Sequence, residues 1–439
     1  MKTKLTFLII AAALAAATAG RAQTVISYST DGGAQALETG SVRQTVLDTA
    51  TLEVSYRMEW LRHPDSKEPM QDLLLLQAGG KVTKFFSYKT LQRDSLLRIT
   101  PTEQVLANVG NFKGGLEAVV FQNYPAGEMT CTDKISRDNM LYTEPLPEIE
   151  WTLRDGTREV IGYDCRRATC RFRGRDYEAW YTEELPLATG PWKFHGLPGL
   201  ILAVNDTGDD GGIIRFEATG IRRAEVPVTM ADLNYLKTSR KKFLATERKF
   251  MTDPIGYMQA NSNIRITVRN EDGTPREGAD LLREYNPLET EYPRGAMKYL
   301  LTLLWLLGAI VAQAQEYTGH VADKEDGAPV AGAIVTARDS LGKPLGYTTT
   351  SASGDFVLRS RGDGTTAQLD FSTMGYRRQS VPANAGRMLV LLTPETTDIR
   401  EVTIRAPRLS FRGDTVSYNV SRFTEAQDRS IADVLRKMP

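Results

Sequence analysis

Three cysteines and three histidines in 439 residues leave the chain poor in the side chains that bind soft metals or form covalent cross-links. An odd cysteine count leaves at least one thiol unpaired, which argues against a disulfide-stapled scaffold. Without clustered histidines, a metal site lacks its ligands. The 54 basic and 54 acidic residues cancel, so a nucleic acid has no bulk electrostatic reason to bind. The basic pairs Arg166-Arg167 and Lys241-Lys242 are short and read as solvated faces. Low-complexity tracts are missing, and no apolar run reaches the ~20 residues of a comfortable membrane span. What is present is a globular composition, 41% apolar and 25% charged, at a length that suggests roughly two to four domains.

Two short apolar runs carry the marks of secretion signals. At the amino terminus, Lys2 and Lys4 precede the run Leu5 to Ala17, and Gly20 and Ala22 place small residues before a cleavage point at Gln23. The same pattern recurs inside the chain: Met297-Lys298, the run Tyr299 to Ala312, then Ala312-Gln313-Ala314 before Gln315. The favoured reading is a former start of translation, with two neighbouring genes run together. A retained membrane anchor or a buried helix is the competing reading; a core helix here would have to be apolar on every side. The expected organisation is a signal peptide over 1–22, a β-rich domain over 23–292, a signal-like or anchor segment over 297–314, a β-sandwich over 315–393 and a further segment over 394–439.

The first domain reads as strands. Leu52, Val54, Tyr56, Met58 and Trp60 alternate with Glu53, Ser55, Arg57 and Glu59, the period of a half-buried strand. Leu73 to Leu76, Gly79-Gly80 and Lys84 to Tyr88 predict a hairpin. Further strands are expected at 117–121, 160–165, 169–173 and 177–182, the last two joined by a turn at Gly174-Arg175-Asp176. Leu200 to Val204 and Ile213 to Thr219 flank a turn-rich loop at 206–212, and Ile264, Ile266 and Val268 alternate once more. One helix interrupts the series. Thr229 and Asp232 have the spacing of a capping box, an imperfect apolar stripe runs from Leu233 to Met251, and Pro254 stops it. The fold class that follows is mainly β: a curled antiparallel sheet or half-barrel packed on one long helix.

The most distinctive run is 190–202, Gly-Pro-Trp-Lys-Phe-His-Gly-Leu-Pro-Gly-Leu-Ile-Leu. Leu197-Pro198-Gly199-Leu200 suits a type II turn, with Pro fixing φ and Gly accepting a positive φ. A sharp turn into a buried strand is the plain reading. His195 is the alternative, as a ligand or catalytic group, although a lone loop histidine is usually neither. Residues Gly196, Leu197, Pro198, Gly199, Leu200 and Ile201 spell the signature of the GLPGLI, or Porph_ging, family of exported Bacteroidota proteins. Residues 149–153, 161–169, 179–182 and the tail Tyr285-Asn286-Pro287-Leu288-Glu289 resemble that family too. The resemblance implies no established activity; its strand pattern is similar to the half-barrels of lipoprotein carriers, an analogy of fold alone.

Cys165 and Cys170 lie five residues apart, on opposite faces of a regular strand. A break near Arg166-Arg167 brings both inward, where either can pair with Cys131, or all stay as buried thiols.

From Gln315 the pattern changes to short strands and frequent turns with no helix: Tyr317 to Val321, Ala333 to Ala337, Tyr347 to Ser351, Asp355 to Leu358, Leu369 to Phe371, Gly375-Tyr376 and Met388 to Leu392, about seven strands. This predicts a seven-stranded β-sandwich of Ig or transthyretin type. The stretch resembles the non-catalytic carboxypeptidase-regulatory-like domain at the front of many outer-membrane receptors, through Gly319-His320-Val321, residues 329–335, Gly354-Asp355-Phe356 and Met374-Gly375-Tyr376. Residues 400–406, 411–420 and 431–439 resemble the start of a TonB-dependent receptor plug, with none of the barrel strands such a receptor needs.

Two functional classes follow. One is a non-catalytic envelope protein with no catalytic residue, metal or cofactor, whose aromatics (Trp60, Phe86, Tyr88, Trp151, Trp180, Trp192) line a concave sheet that holds an apolar ligand or peptide. Trp180, Trp192 and His195 are its candidate ligand contacts, and an outer-membrane receptor or transporter is its candidate partner. The other is a periplasmic hydrolase using His195 with a carboxylate such as Asp206, or Cys165 as nucleophile.

Overall fold

The computed structural model describes residues 25–30, 43–91, 115–208, 213–261, 264–270, 274–276, 278–290, 315–360, 366–384, 386–397, 399–403, 409–412 and 415–418. Both signal-like runs and the plug helix expected at 431–439 lie outside the described residues. Within them, no helix is long and apolar enough to cross a membrane.

The chain opens with β1 (Val25–Thr30), then β2 (Gln44–Trp60), β3 (Met70–Gly79), β4 (Thr83–Ser87), β5 (Val119–Gln122), β6 (Glu128–Ile135) and β7 (Asp138–Pro145). It continues through β8 (Thr152–Val160), β9 (Tyr163–Phe172), β10 (Arg175–Thr182), β11 (Leu200–Asp206), β12 (Ile214–Ala231) and β13 (Tyr235–Lys237). Helices α1 (Arg240–Thr252) and α2 (Pro254–Ala260) follow, then β14 (Ile264–Arg269) and β15 (Pro275–Arg276). Strands β2 to β13 form one sheet in the order β13-β7-β6-β5-β4-β3-β2-β12-β11-β10-β9-β8. All neighbours are antiparallel except β13 on β7. The sheet is open, since its end strands β13 and β8 do not pair. A sheet this wide curls with its natural twist, and three register breaks along the β12–β2 pair bend its middle further.

The period-two pattern of β2 translates directly into packing. Leu52, Val54, Tyr56 and Met58 are fully buried and Trp60 nearly so; they face a single core with residues of β3, β4, β6, β7 and β9 to β12. Glu53 departs from the expected solvent face: it is buried between Gln77 and Arg222, which both donate to its carboxylate. The β3–β4 hairpin forms as expected, Leu74 opposite Ser87 and Ala78 opposite Thr83.

Three local expectations need correction. The helix begins ten residues late, at the Ser239 cap, whose hydroxyl accepts from the Lys242 amide. Thr229 instead pairs with Val46 at the end of β12, and Tyr235–Lys237 pairs with β7, so sheet hydrogen bonds outweigh a weak capping signal. No strand crosses 160–165, because Ile161 and Gly162 both take positive φ and form the β8–β9 turn. The next turn sits at Arg173-Gly174 (φ 51° and 82°) rather than at 174–176, and Arg175 and Asp176 belong to β10. Cys165, Ala168 and Cys170 are all buried, so β9 does change phase around Arg166-Arg167; opposite it, β8 bulges between Arg154 and Thr157.

The second half contains β16 (Gln315–Asp323), β17 (Ile334–Arg338), β18 (Pro344–Thr349), β19 (Asp355–Ser360), β20 (Gln368–Ser372), β21 (Gln379–Pro382) and β22 (Arg387–Leu392). These seven strands form two sheets, β19-β16-β22 and β18-β17-β20-β21, closed over Val321, Val335, Leu358, Leu369, Phe371 and Leu392. Beyond them, β23 (Val402–Thr403) adds to β12, and β24 (Leu409–Arg412) pairs with β25 (Thr415–Tyr418).

Phe85 sits at the centre of the first core, fully buried, its ring 6.1 Å from both Tyr56 and Phe216. Phe85→Ala is expected to cost ~3–5 kcal/mol of stability, measured by urea unfolding with the sheet content retained in native buffer.

Candidate functional site

The segment between β10 and β11 does not loop outward. It folds back against the sheet, and its apolar side chains join the main core. Leu185, Trp192, Phe194 and Leu197 are all buried, and the Phe194 ring lies 4.8 Å from Tyr177, 5.4 Å from Trp192 and 5.7 Å from Phe172. A loop brought inside carries backbone polar groups that need partners away from water. Here side chains supply them: Gln122 donates to the carbonyls of Trp192 and Phe194, both at 3.2 Å, and accepts from Thr189 at 2.9 Å. Trp151 Nε1 donates to the His195 carbonyl at 2.9 Å, and Tyr56 OH donates to the Ile201 carbonyl at 2.7 Å.

The expected type II turn is absent. Leu200 N–H donates to Leu185, at 2.9 Å, instead of closing a turn onto Leu197, while Gly199 N–H bonds back to the Leu197 carbonyl at 2.8 Å. Entry of Leu200 into β11 takes the amide that a type II turn requires. The glycine is still obligatory, for a different reason: a Cβ at Gly199 would lie 2.0 Å from the Thr182 carbonyl oxygen. Gly190 is equally confined, its Cβ position 2.6 Å from Ile201.

At the middle of the loop is a charge that sequence reasoning missed. Lys193 is 2% exposed. Its ammonium pairs with Glu289, donates to Tyr142 OH at 2.7 Å and lies 3.5 Å from Glu144. Arg240, at the start of α1, binds Glu289 at 2.7 Å, and Arg173, in the β9–β10 turn, binds Glu144 at 2.8 Å. Burial opposes the Lys193 ammonium, yet Glu289 and the neighbouring anionic groups hold its pKa above the ordinary lysine value. Burial likewise opposes the Glu289 carboxylate, but Lys193, Arg240 and Arg173 outweigh it and bring its pKa to about 2. The signal was visible: Lys193 stands in an aromatic run where no solvated lysine is expected, and Glu289 closes the Tyr285 to Glu289 tail.

That tail is strapped across the rim of the sheet. Trp60 Nε1 donates to the Asn286 carbonyl at 2.9 Å, and Asn286 Nδ2 donates to the Leu61 carbonyl at 2.9 Å. Arg175, 3% exposed, donates to Asp206 at 2.6 Å and to the Pro287 carbonyl at 2.8 Å. The β10–β11 loop and the tail thus hold each other through Lys193–Glu289.

The residues singled out in the sequence fall in separate places. Trp192 is core, and Trp180 lies half-buried with its indole donating to Glu178 at 3.0 Å. The His195 ring donates to the Pro147 carbonyl; burial brings its pKa to about 4, and Nε2 has no partner among the described residues. Cys165 and Cys170 are buried free thiols whose pKa values burial pushes up to about 12, and Cys131 is also a free buried thiol. None of the three forms a disulfide. Asp206 is held by Arg175. An open cleft of about 1440 Å³ borders the loop, with Ala188, His195 and Gly196 on one side and Val330, Tyr347 and Met374 of the second half on the other.

Fold and loop together define a mainly β protein whose largest sheet is curled and open, with its own β10–β11 loop packed against it. Residues 173–203, which run from the β9–β10 turn through that loop into β11, match the model of a family described as a protein of unknown function, Porph_ging. No curated protein matches the chain. Among solved structures, PNGF-II is similar at 16% identity and a TM-score of 0.33, over 47% of this chain and 34% of that one. The chain therefore spans about a third of that protein's length. The LolA superfamily protein NE2245 from Nitrosomonas europaea is similar at 8% identity and a TM-score of 0.19, over 41% of this chain and 88% of that one. The shaft pilin SpaA from Lactobacillus rhamnosus GG is similar at 12% identity and a TM-score of 0.16, over 44% and 77%.

Glu289 gives the network a pH signature. Its folded pKa, about 2, lies below the ordinary glutamate value of 4.5, so its contribution is complete above pH ~4.5 and is lost as pH falls toward 2. Denaturant unfolding from pH 6 to pH 2.5 should show wild type losing its advantage over Glu289→Gln across that window; a gap that stays constant with pH would contradict the assignment.

Proposed function

We propose that this chain is a non-catalytic protein of the cell envelope, exported to the periplasm or outer membrane, whose 23–292 module binds or assists another component. The observation that carries the reading is the separate engagement of every hydrolase candidate. His195 is held neutral against the Pro147 carbonyl, Asp206 is tied to Arg175, and the Cys165 thiol has a pKa of about 12. A nucleophile and its base must lie within hydrogen-bond reach of each other, and these groups are each bonded to different neighbours.

The cleft beside His195 and Gly196 supports the binding reading. It is bordered by residues of both halves, with apolar groups such as Leu146, Ile149, Leu187, Val330 and Met374 among threonines and charged residues such as Lys81, Glu148 and Arg223. An apolar molecule or an extended peptide suits such a lining better than a nucleic acid, which a chain of zero net charge does not attract.

The second half is read as a carboxypeptidase-regulatory-like domain leading into the beginning of a TonB-dependent receptor plug, joined to the first by fusion of adjacent genes. Its seven-stranded sandwich and the Ala312-Gln313-Ala314 spacing before Gln315 support that reading, and an outer-membrane receptor is then the natural partner of the first module.

Native mass spectrometry of the protein recovered from periplasmic and membrane fractions tests both parts. The reading predicts species beginning at Gln23 and Gln315, with a non-covalent apolar or peptidic molecule that the wild-type protein retains without converting it. Cytoplasmic recovery of one uncleaved, ligand-free chain, or a turnover abolished by His195→Ala, would contradict it.

A further inference from the structure

We infer that the corner where β10 leaves for the β10–β11 loop, together with the outer edge of β12, is a docking face for a β-sandwich followed by an extended strand, and that the contact holds without a covalent link. The occupant is the 315–403 segment of this chain. The inference goes beyond the proposed function and stands whether the two halves are made as one chain or two.

Three independent contacts build the face. The first is strand addition. β11 pairs with β12 only opposite residues 215–217, so the next stretch of β12 has β2 on one side and an unfilled edge on the other. Val402 and Thr403 fill it, antiparallel to Ile221 and Gly220. Main-chain pairing on an open edge gives affinity with little demand on sequence. Gly220 lets the strand approach: a Cβ there would come within 2.8 Å of the Val402 carbonyl and 2.9 Å of Ser55 Oγ.

The second contact is ionic and buried. The Arg338 side chain, 5% exposed, binds Asp370 of its own module at 2.6 Å and also reaches Glu183 across the contact. Arg378 shares both carboxylates. Glu183, 14% exposed, also pairs with Arg166 of its own module at 3.4 Å. Charges buried this far are tolerated when paired and are strongly destabilising when one partner is lost, so the arrangement rewards a specific fit. Beside it, Glu184 pairs with Arg400, whose carbonyl accepts from Tyr163 OH at 2.9 Å.

The third contact is apolar. Ile399 is buried within the core cluster of the first half, and Tyr347 and Met374 pack against the same cluster. An aliphatic anchor beside a buried ionic pair, flanked by an added strand, is the composition of a specific interface.

The test uses the full chain with a site-specific protease sequence placed within 297–314. After cutting, the two pieces should co-elute at the uncut volume in gel filtration. Glu183→Arg, which adds a cation to Arg166, Arg338 and Arg378 around that position, and Gly220→Val, which blocks the added strand, should each lose that co-elution while both pieces keep their β circular dichroism. Pieces that part in the wild type, or that stay together in both variants, overturn the proposal. A carbodiimide cross-link between Asp155 and Lys343, 3.2 Å apart, reads the same contact in the uncut chain independently of how the pieces behave. Its appearance in wild type and loss in Glu183→Arg supports docking; its absence in wild type overturns it.

Discussion

The ion pair between Lys193 and Glu289 is the constraint on which the first module is organised. An ammonium and a carboxylate removed from water are costly unless each finds several partners. Lys193 has Glu289, Glu144 and Tyr142, and Glu289 has Lys193, Arg240 and Arg173. Those partners come from the β7 strand, the β9–β10 turn, the β10–β11 loop, the start of α1 and the tail after α2. Elements far apart in sequence are therefore pinned to one point, and a misplaced element leaves a buried charge unpaired.

The same constraint explains the signature run. Gly190 and Gly199 are present because Ile201 and the Thr182 carbonyl occupy the space a side chain would need. The aromatics on either side of Lys193 join the main core, and Lys193 reaches out of that apolar packing to the tail. A cleft lies beside this loop, against its Gly196 side. The glycines of this run are fixed by how the loop packs.

Much of the fold was legible in the sequence because burial on one face of a strand writes itself as alternation. Leu52 to Trp60, the Gly79-Gly80 hairpin, Leu200 to Val204 and the seven short strands after Gln315 all translate directly into packed β structure. Errors arose where one local signal met a stronger distant one. The Thr229–Asp232 pattern yielded to pairing of β12 with β2, and the Leu197–Leu200 turn yielded to the bond from Leu200 to Leu185. The candidate site was less legible still. Trp192 and His195 stood out as rare residue types, whereas the groups that organise the module are ordinary Lys, Arg and Glu whose importance comes from burial. Nothing in local spacing tells Glu289 that Lys193 lies across the sheet, although a lysine inside an aromatic run was a visible anomaly.

A double-mutant cycle on Lys193→Met and Glu289→Leu tests the central claim most directly. Each single change leaves a buried charge facing a carbon chain and is expected to cost ~3–5 kcal/mol, while the pair together costs far less than the sum, because both charges leave at once. Single changes costing under about 1 kcal/mol each, or losses that simply add, would contradict the view that this ion pair organises the module.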